Sequence, residues 1–86
     1  MLNWGDEMHK KTLLENMDKI HTTEMGVVRI QKNLEITEEP VSYCISKLQK
    51  KDSIVTKEGK NYYVEVDECR ITINSSSFTI ITAHRI

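Results

Sequence analysis

The sequence predicts an α+β fold in which three N-terminal helices pack on a four-stranded antiparallel β-meander. Up to about residue 51 the apolar residues recur every three or four positions, which is the spacing of one helical face. From about residue 53 they alternate with polar residues, which is the period of a strand with one buried face. Short polar turns separate these strands, so each predicted strand pairs with the next in a hairpin.

Length and composition are those of one small globular domain, residues 1–86, with 38% hydrophobic and 29% charged residues. The formal net charge of −1 gives no overall field that would attract nucleic acid or anionic lipid. The sequence contains no apolar run near the roughly 20 residues of a membrane span, and its N-terminus lacks a signal-peptide pattern. We therefore expect a cytoplasmic protein without a membrane partner.

The predicted helices cover about residues 9–20, 24–34 and 38–51. We expect Thr22 or Thr23 to cap the second helix and Thr37 to cap the third, because a hydroxyl there accepts a hydrogen bond from a free backbone N–H. Gly26 lies inside the second helix, where glycine costs about 1 kcal/mol relative to alanine. It therefore marks either close packing or an approaching ligand.

Two neighbouring residues test the orientation of the third helix. Leu48 completes its apolar stripe and is expected in the core, whereas Lys47 is expected in solvent. The two cysteines, Cys44 and Cys69, are expected to be free thiols packed in the core, and a disulfide between them stays open.

The predicted strands cover about residues 53–57, 60–66, 69–74 and 77–84. A two-residue loop at 67–68 places Glu65 opposite Arg70 as a cross-strand ion pair. A two-residue loop at 75–76 pairs Ile71 with Ile80. We take the agreement of both hairpins on one apolar face as support for this register.

The same register divides the polar residues between the two faces of the sheet. It places Thr82 and His84 on the apolar, helix-covered face, near its edge. It places Tyr63, Thr72 and Thr79 in a row on the outer face, where they are candidate binding residues.

Histidines supply the candidate chemistry. His21 and His84 are the candidate general acid and base, since an imidazole has an unperturbed pKa of about 6.5 and two of them can flank a phosphodiester. Arg29, Lys60 or Arg85 would hold the phosphate. The competing interpretation is that His21 caps the first helix and His84 is an exposed terminal residue. The sequence has no zinc-ligand spacing, Gly-rich phosphate loop or nucleophile elbow, so we expect no metal and no cofactor.

Several segments resemble an uncharacterised bacterial family catalogued as domain of unknown function thirty-seven eighty-one. They include His-Thr-Thr-Glu-Met-Gly at 21–26, residues 29–34, Gly-Lys-Asn-Tyr-Tyr-Val at 59–64, residues 71–74 and the closing strand at 79–84. The chain also resembles, at the level of fold, the barnase and RelE-like ribonuclease toxins. That resemblance implies catalytic contributions from Thr82, His84 and Arg85 on the last strand, and from His21 and Arg29 on the helical side. Such toxins are often basic, whereas this chain is slightly acidic.

Two hypotheses about function follow. The first is a metal-independent, RNase-like or RNA-binding protein that acts on RNA or a ribonucleoprotein. The second is a non-catalytic interaction module, such as a phage or mobile-element inhibitor of a host protein, with Trp4, Tyr63 and the outer row as its contacts. Convergence of His21 and His84 in one pocket favours chemistry, and their separation favours interaction. The sequence leaves catalysis and oligomeric state open.

Overall fold

A computed structural model describes the backbone of residues 4–86 and the side chains from residue 7 onward. The helices are α1 (Trp4–Glu15), α2 (Glu24–Leu34) and α3 (Pro40–Leu48), with a short 3-10 turn at Met17–Lys19. The strands are β1 (Ile54–Glu58), β2 (Asn61–Val66), β3 (Cys69–Asn74) and β4 (Ile80–Arg85). They form one antiparallel sheet in the order β1-β2-β3-β4, so the predicted α+β architecture is confirmed. The expected contact residue Trp4 has its side chain outside the described residues.

The helix caps explain where each helix begins. The Thr23 hydroxyl accepts a hydrogen bond from the Gly26 N–H at 3.0 Å, so α2 begins where the sequence predicts. The expected cap of α3 at Thr37 is wrong. The Glu39 carboxylate takes that role by accepting from the Val41 and Ser42 N–H groups at 2.7 and 3.1 Å.

The first and third helices are shorter than expected at their C-terminal ends. After α1 the chain tightens into the 3-10 turn, because the Asn16 N–H bonds to the Leu13 carbonyl, three residues earlier. After α3 the Ser53 hydroxyl donates to the Leu48 carbonyl at 2.7 Å. The Lys10 ammonium donates to the Lys50 carbonyl at 2.8 Å, which ties α1 to the end of α3.

The β2–β3 hairpin has the predicted register, with Val66 opposite Cys69 and Glu65 opposite Arg70. Its loop residues Asp67 and Glu68 have φ angles of 52° and 60°. Two residues with positive φ give a turn whose twist matches that of the strands, which fixes the register.

The predicted register of the last hairpin is wrong. Phe78 has a φ of 60° and lies in the loop, so β4 begins at Ile80, which pairs with Ile73. A bulge follows, and beyond it Thr72 pairs with Thr82 and Arg70 with His84. Thr82 and His84 therefore lie on the face opposite to the one expected.

The described helices cover one face of the sheet and leave the other open. α1 lies against β1, α3 against β2 and α2 against β4. The core between these layers comprises Leu13, Ile20, Ile30, Leu34, Cys44, Leu48, Val55, Tyr62, Val64, Val66, Cys69, Ile71, Ile73, Ile80 and Ala83. Among the described residues, no helix combines the length and the apolar character needed to cross a bilayer.

Candidate contact surface on the open sheet face

The open face of the sheet carries two rows of polar side chains that cross the strands. We call this surface the outer face. One row is Glu65, Arg70 and His84, with the exposed apolar Ile54 at its β1 end, and the other is Thr56, Tyr63, Thr72 and Thr82. Residues directly opposite on neighbouring strands have Cβ atoms about 5 Å apart, so each row is a line of touching side chains. The expected outer row therefore ends in Thr82 rather than Thr79.

Arg70 lies at the centre of the outer face and is held on two sides. Its Nε and Nη2 donate to Glu65 Oε2 at 2.9 and 2.5 Å. Its guanidinium carbon lies 5.8 Å from the centroid of the Tyr63 ring. The predicted Glu65–Arg70 ion pair is thus confirmed, and it holds Arg70 and Tyr63 in one orientation.

A shallow cavity of about 330 Å³ opens beside this cluster. Its lining consists of Thr56, Glu58, Gly59, Tyr63, Glu65 and Arg70. The cavity lining contains two carboxylates, Glu58 and Glu65, and one guanidinium, that of Arg70. Because Arg70 is already paired with Glu65, the cavity lining offers no free cation to a phosphate group.

Hydroxyl groups fill the β3–β4 side of the outer face. Thr72 is only 7% exposed, because it lies between Tyr63 and Thr82. The Asn33 amide of α2 lies 3.5 Å from Thr82 Oγ1, at the limit of a hydrogen bond. His84 is half-buried and stands next to Arg70.

His21 lies at the other end of β4 and is tied to it. Its N–H donates to the Phe78 carbonyl at 3.2 Å, and its own carbonyl accepts from the Ile80 N–H at 2.7 Å. Its ring bridges the Lys19 carbonyl, 2.8 Å from Nδ1, and Thr79 Oγ1, 3.1 Å from Nε2. These contacts close the N-terminal part of the β4 edge against pairing with another strand.

The structure does not bring the two candidate catalytic histidines together. His21 bridges to Thr79, and His84 stands five positions further along the chain. At about 3.3 Å per residue, roughly 16 Å separates them. Two groups that must each come within about 3.2 Å of one phosphodiester have to lie much closer together.

The remaining candidate site residues are dispersed. Arg29 is exposed on α2, and Lys60 is exposed in the turn between β1 and β2. Arg85 donates to the Leu34 carbonyl at 3.0 Å and lies 3.6 Å from Glu35, so it satisfies the C-terminal end of α2. Of the nine candidates, the outer face gathers Tyr63, Thr72, Thr82 and His84.

The Asp67 carboxyl and the Cys44 thiol both have a perturbed pKa and lie away from the outer face. Hydrogen bonds from Lys47 and Lys50, both 2.7 Å long, lower the pKa of the exposed Asp67 carboxyl. Lys47 is thus ion-paired, with its side chain only 21% exposed, rather than fully solvated as expected. Burial, with a smaller contribution from Cys69, raises the pKa of the Cys44 thiol to about 12. Both cysteines are buried free thiols, as predicted.

Sequence reasoning predicted the Glu65–Arg70 ion pair and its place on the outer face, but it included neither residue among the candidate site residues. For the last hairpin the sequence held a signal for the longer loop in Asn74, whose side chain accepts from the Ser76 and Ser77 N–H groups at 2.9 and 3.0 Å. An Asn followed by serines is typical of such a side-chain-closed turn, which lengthens the loop. Among the side chains described from residue 7 onward, no three His, Cys, Asp or Glu groups cluster as metal ligands do.

A model of the family described as "Protein of unknown function (DUF3781)" matches residues 14–84. This range includes α2, α3, the first three strands and all of β4 except its last residue. Comparison with curated proteins and with solved structures finds no significant match.

Proposed function

Because the chain belongs to the family of proteins of unknown function DUF3781, whose description assigns no activity, we propose its function from the outer face. We propose that it is a non-catalytic interaction module that binds another protein through this surface. The single observation that carries the proposal is the cluster of Tyr63, Arg70 and Glu65 on a sheet face that the described helices leave open.

The cluster supports protein recognition because its side chains are already ordered. Tyrosine and arginine are enriched among the residues that contribute most to binding at protein interfaces. Arg70 is fixed by Glu65 and Tyr63, so little side-chain entropy is lost when a partner docks. The exposed Thr56 and the half-buried Thr82 offer hydroxyl groups for hydrogen bonds at the two ends of the neighbouring row.

The charges of the outer face favour a protein over RNA. Its arginine is neutralised by Glu65, and Glu58 adds a second carboxylate to the cavity. Binding to a nucleic-acid backbone depends on free lysines and arginines that neutralise phosphates. The separation of His21 and His84 likewise gives no support to a two-histidine ribonuclease mechanism.

Affinity capture from the source cell tests the proposal. The baits are wild type, Tyr63→Ala, Arg70→Ala and, as a control, Lys11→Ala, which changes an exposed residue of α1. We expect one protein to co-purify with wild type and with Lys11→Ala. We expect the two outer-face variants to retain roughly a tenth of it or less, the loss typical of a central interface residue. Far-UV circular dichroism of the four purified baits would verify that each is folded.

Two results contradict the proposal. One is equal recovery of the same protein by all four baits, and the other is capture that disappears after nuclease treatment. A parallel incubation of pure wild type with total RNA, without metal and across pH 5 to 8, tests the enzyme hypothesis. Cleavage that His84→Ala abolishes would replace the interaction module by a ribonuclease.

A further inference from the structure

Helix α2 carries an exposed apolar surface that is not part of the hydrophobic core. Its inner face is buried through Gly26, Ile30 and Leu34. On the opposite face Met25 is 74% exposed and Val28 is 65% exposed. They border a depression of about 550 Å³ whose lining residues are Glu24, Met25, Val28, Arg29, Lys32 and Asn33. Contiguous exposed apolar surface is where a protein commonly contacts a partner.

The charges along this surface are ordered by position. Glu24 lies at the N-terminal end of α2, and Arg29 and Lys32 lie towards its C-terminal end. Within the described part of the chain, none of these three side chains forms an ion pair or a hydrogen bond. Glu24 lies four residues before Val28 and Lys32 four residues after it. At about 1.5 Å per residue, both charges stand roughly 6 Å from Val28 along the helix axis.

We propose that the exposed face of α2 binds the same face of a second copy of this chain, antiparallel about a two-fold axis at Val28. The symmetry places Glu24 of each copy opposite Lys32 of the other, at both ends of the contact. Val28 meets its own copy on the axis, and Met25 packs on the aliphatic stem of the opposing Lys32. The antiparallel arrangement also places each helix N-terminus beside the C-terminus of its partner, which is favourable for the two helix dipoles.

Self-complementarity is what selects a second copy as the occupant. A purely acidic partner would leave Glu24 facing a like charge, and a purely basic one would do the same to Arg29 and Lys32. A second copy of the same surface, turned by 180°, places an opposite charge at each end of the contact. One helix of 11 residues buries less than the roughly 1,200 Å² typical of a stable complex, so the dimer is weak. The proposed contact through α2 is independent of any binding by the outer face.

Sedimentation equilibrium of the full chain, from roughly 10 μM to 1 mM, covers the range expected for such a small interface. Wild type is expected to shift from monomer to dimer within this range. Val28→Glu is expected to stay monomeric, because the substitution brings two carboxylates together on the axis. Because Val28 is largely exposed, we expect this variant to keep the fold, which an unchanged thermal midpoint would verify.

Charge reversal provides the decisive comparison. Glu24→Lys and Lys32→Glu each place like charges opposite one another twice, and each is expected to weaken the dimer roughly tenfold. The double variant exchanges the charges and is expected to return the dissociation constant to within about threefold of wild type. A monomeric wild type up to 1 mM overturns the proposal, and so does a double variant that is no tighter than either single variant. Persistence of the dimer in Val28→Glu would likewise overturn it.

Discussion

Replacing Gly26 by alanine tests how α2 is joined to the sheet. A Cβ built on Gly26 overlaps Thr22 Oγ1 and lies 3.2 Å from Thr22 Cβ and 3.3 Å from Thr23 Oγ1. Thr22 Oγ1 is held in place because it donates to the Ile80 carbonyl at 2.9 Å. Of the two roles expected for Gly26 from the sequence, close packing is therefore the one observed.

The contributions to the change in unfolding free energy have opposite signs. Glycine to alanine inside a helix normally stabilises by about 1 kcal/mol. Here the added methyl group must displace the Thr22 side chain, which costs about 1 kcal/mol for the hydrogen bond to Ile80 and about 1–3 kcal/mol for overpacking. We expect a net destabilisation of about 1–3 kcal/mol. In a domain of this size that lowers the melting midpoint by roughly 5–15 °C.

A double-mutant cycle followed by urea denaturation isolates this overlap. In a Thr22→Ala background the hydroxyl is gone, so we expect Gly26→Ala to be neutral or to stabilise by up to about 1 kcal/mol. Gly59→Ala is the control, because Gly59 has a φ of 61° and no side chain near it. It should cost about 1–2 kcal/mol in both backgrounds, since its cost is backbone strain alone. Stabilisation by Gly26→Ala in the wild-type background would refute the packing argument.

Three further predictions concern the core and the ionisable groups. Leu48→Ala should lower the unfolding free energy by about 2–5 kcal/mol, because Leu48 is 1% exposed, whereas Lys47→Ala should lower it by about 1 kcal/mol or less. Equal losses in urea titrations would contradict the assigned helix faces. The pKa of Asp67 is lowered in the folded state, so ionised Asp67 stabilises the fold above the unfolded carboxyl pKa of about 3.9, and this contribution is lost as the pH falls through the folded value. The melting temperature of wild type should therefore fall more than that of Asp67→Asn between pH 6 and pH 2, and parallel curves would contradict this. Both cysteines are buried, and the pKa of Cys44 is raised, so a thiol reagent at pH 8 should label neither Cys44 nor Cys69 until urea is added. Rapid labelling of the native protein would contradict their burial.

The sequence was sufficient to predict the architecture and one hairpin because local chemistry specified them. The Thr23 hydroxyl marked the start of α2, and the Asp67-Glu68 loop aligned β2 with β3. In both places a local hydrogen bond or turn agrees with the hydrophobic pattern, so sequence and tertiary structure lead to the same result.

The last hairpin was mispredicted because tertiary structure overrides the local pattern there. Phe78 and Ile80 alternate as strand residues do, yet Phe78 adopts a positive φ that is rare for an aromatic residue. The Asn74 side chain closes the longer turn, and the bulge before Thr82 then shifts the remaining residues by one position. A shift of one residue reverses the face of every later side chain, so Thr82 and His84 moved from the predicted helical side to the outer face.

Photo-crosslinking in the source cell tests the contact role of the outer face most directly. Benzoylphenylalanine would replace Tyr63 in one protein and the exposed Lys11 of α1 in another. We expect irradiation to link position 63 to one protein in high yield and to leave position 11 without that adduct. Excess wild-type protein should suppress the adduct, because both compete for the same partner. Equal adducts from both positions, or adducts to RNA alone at position 63, would contradict the outer face as a protein-binding surface.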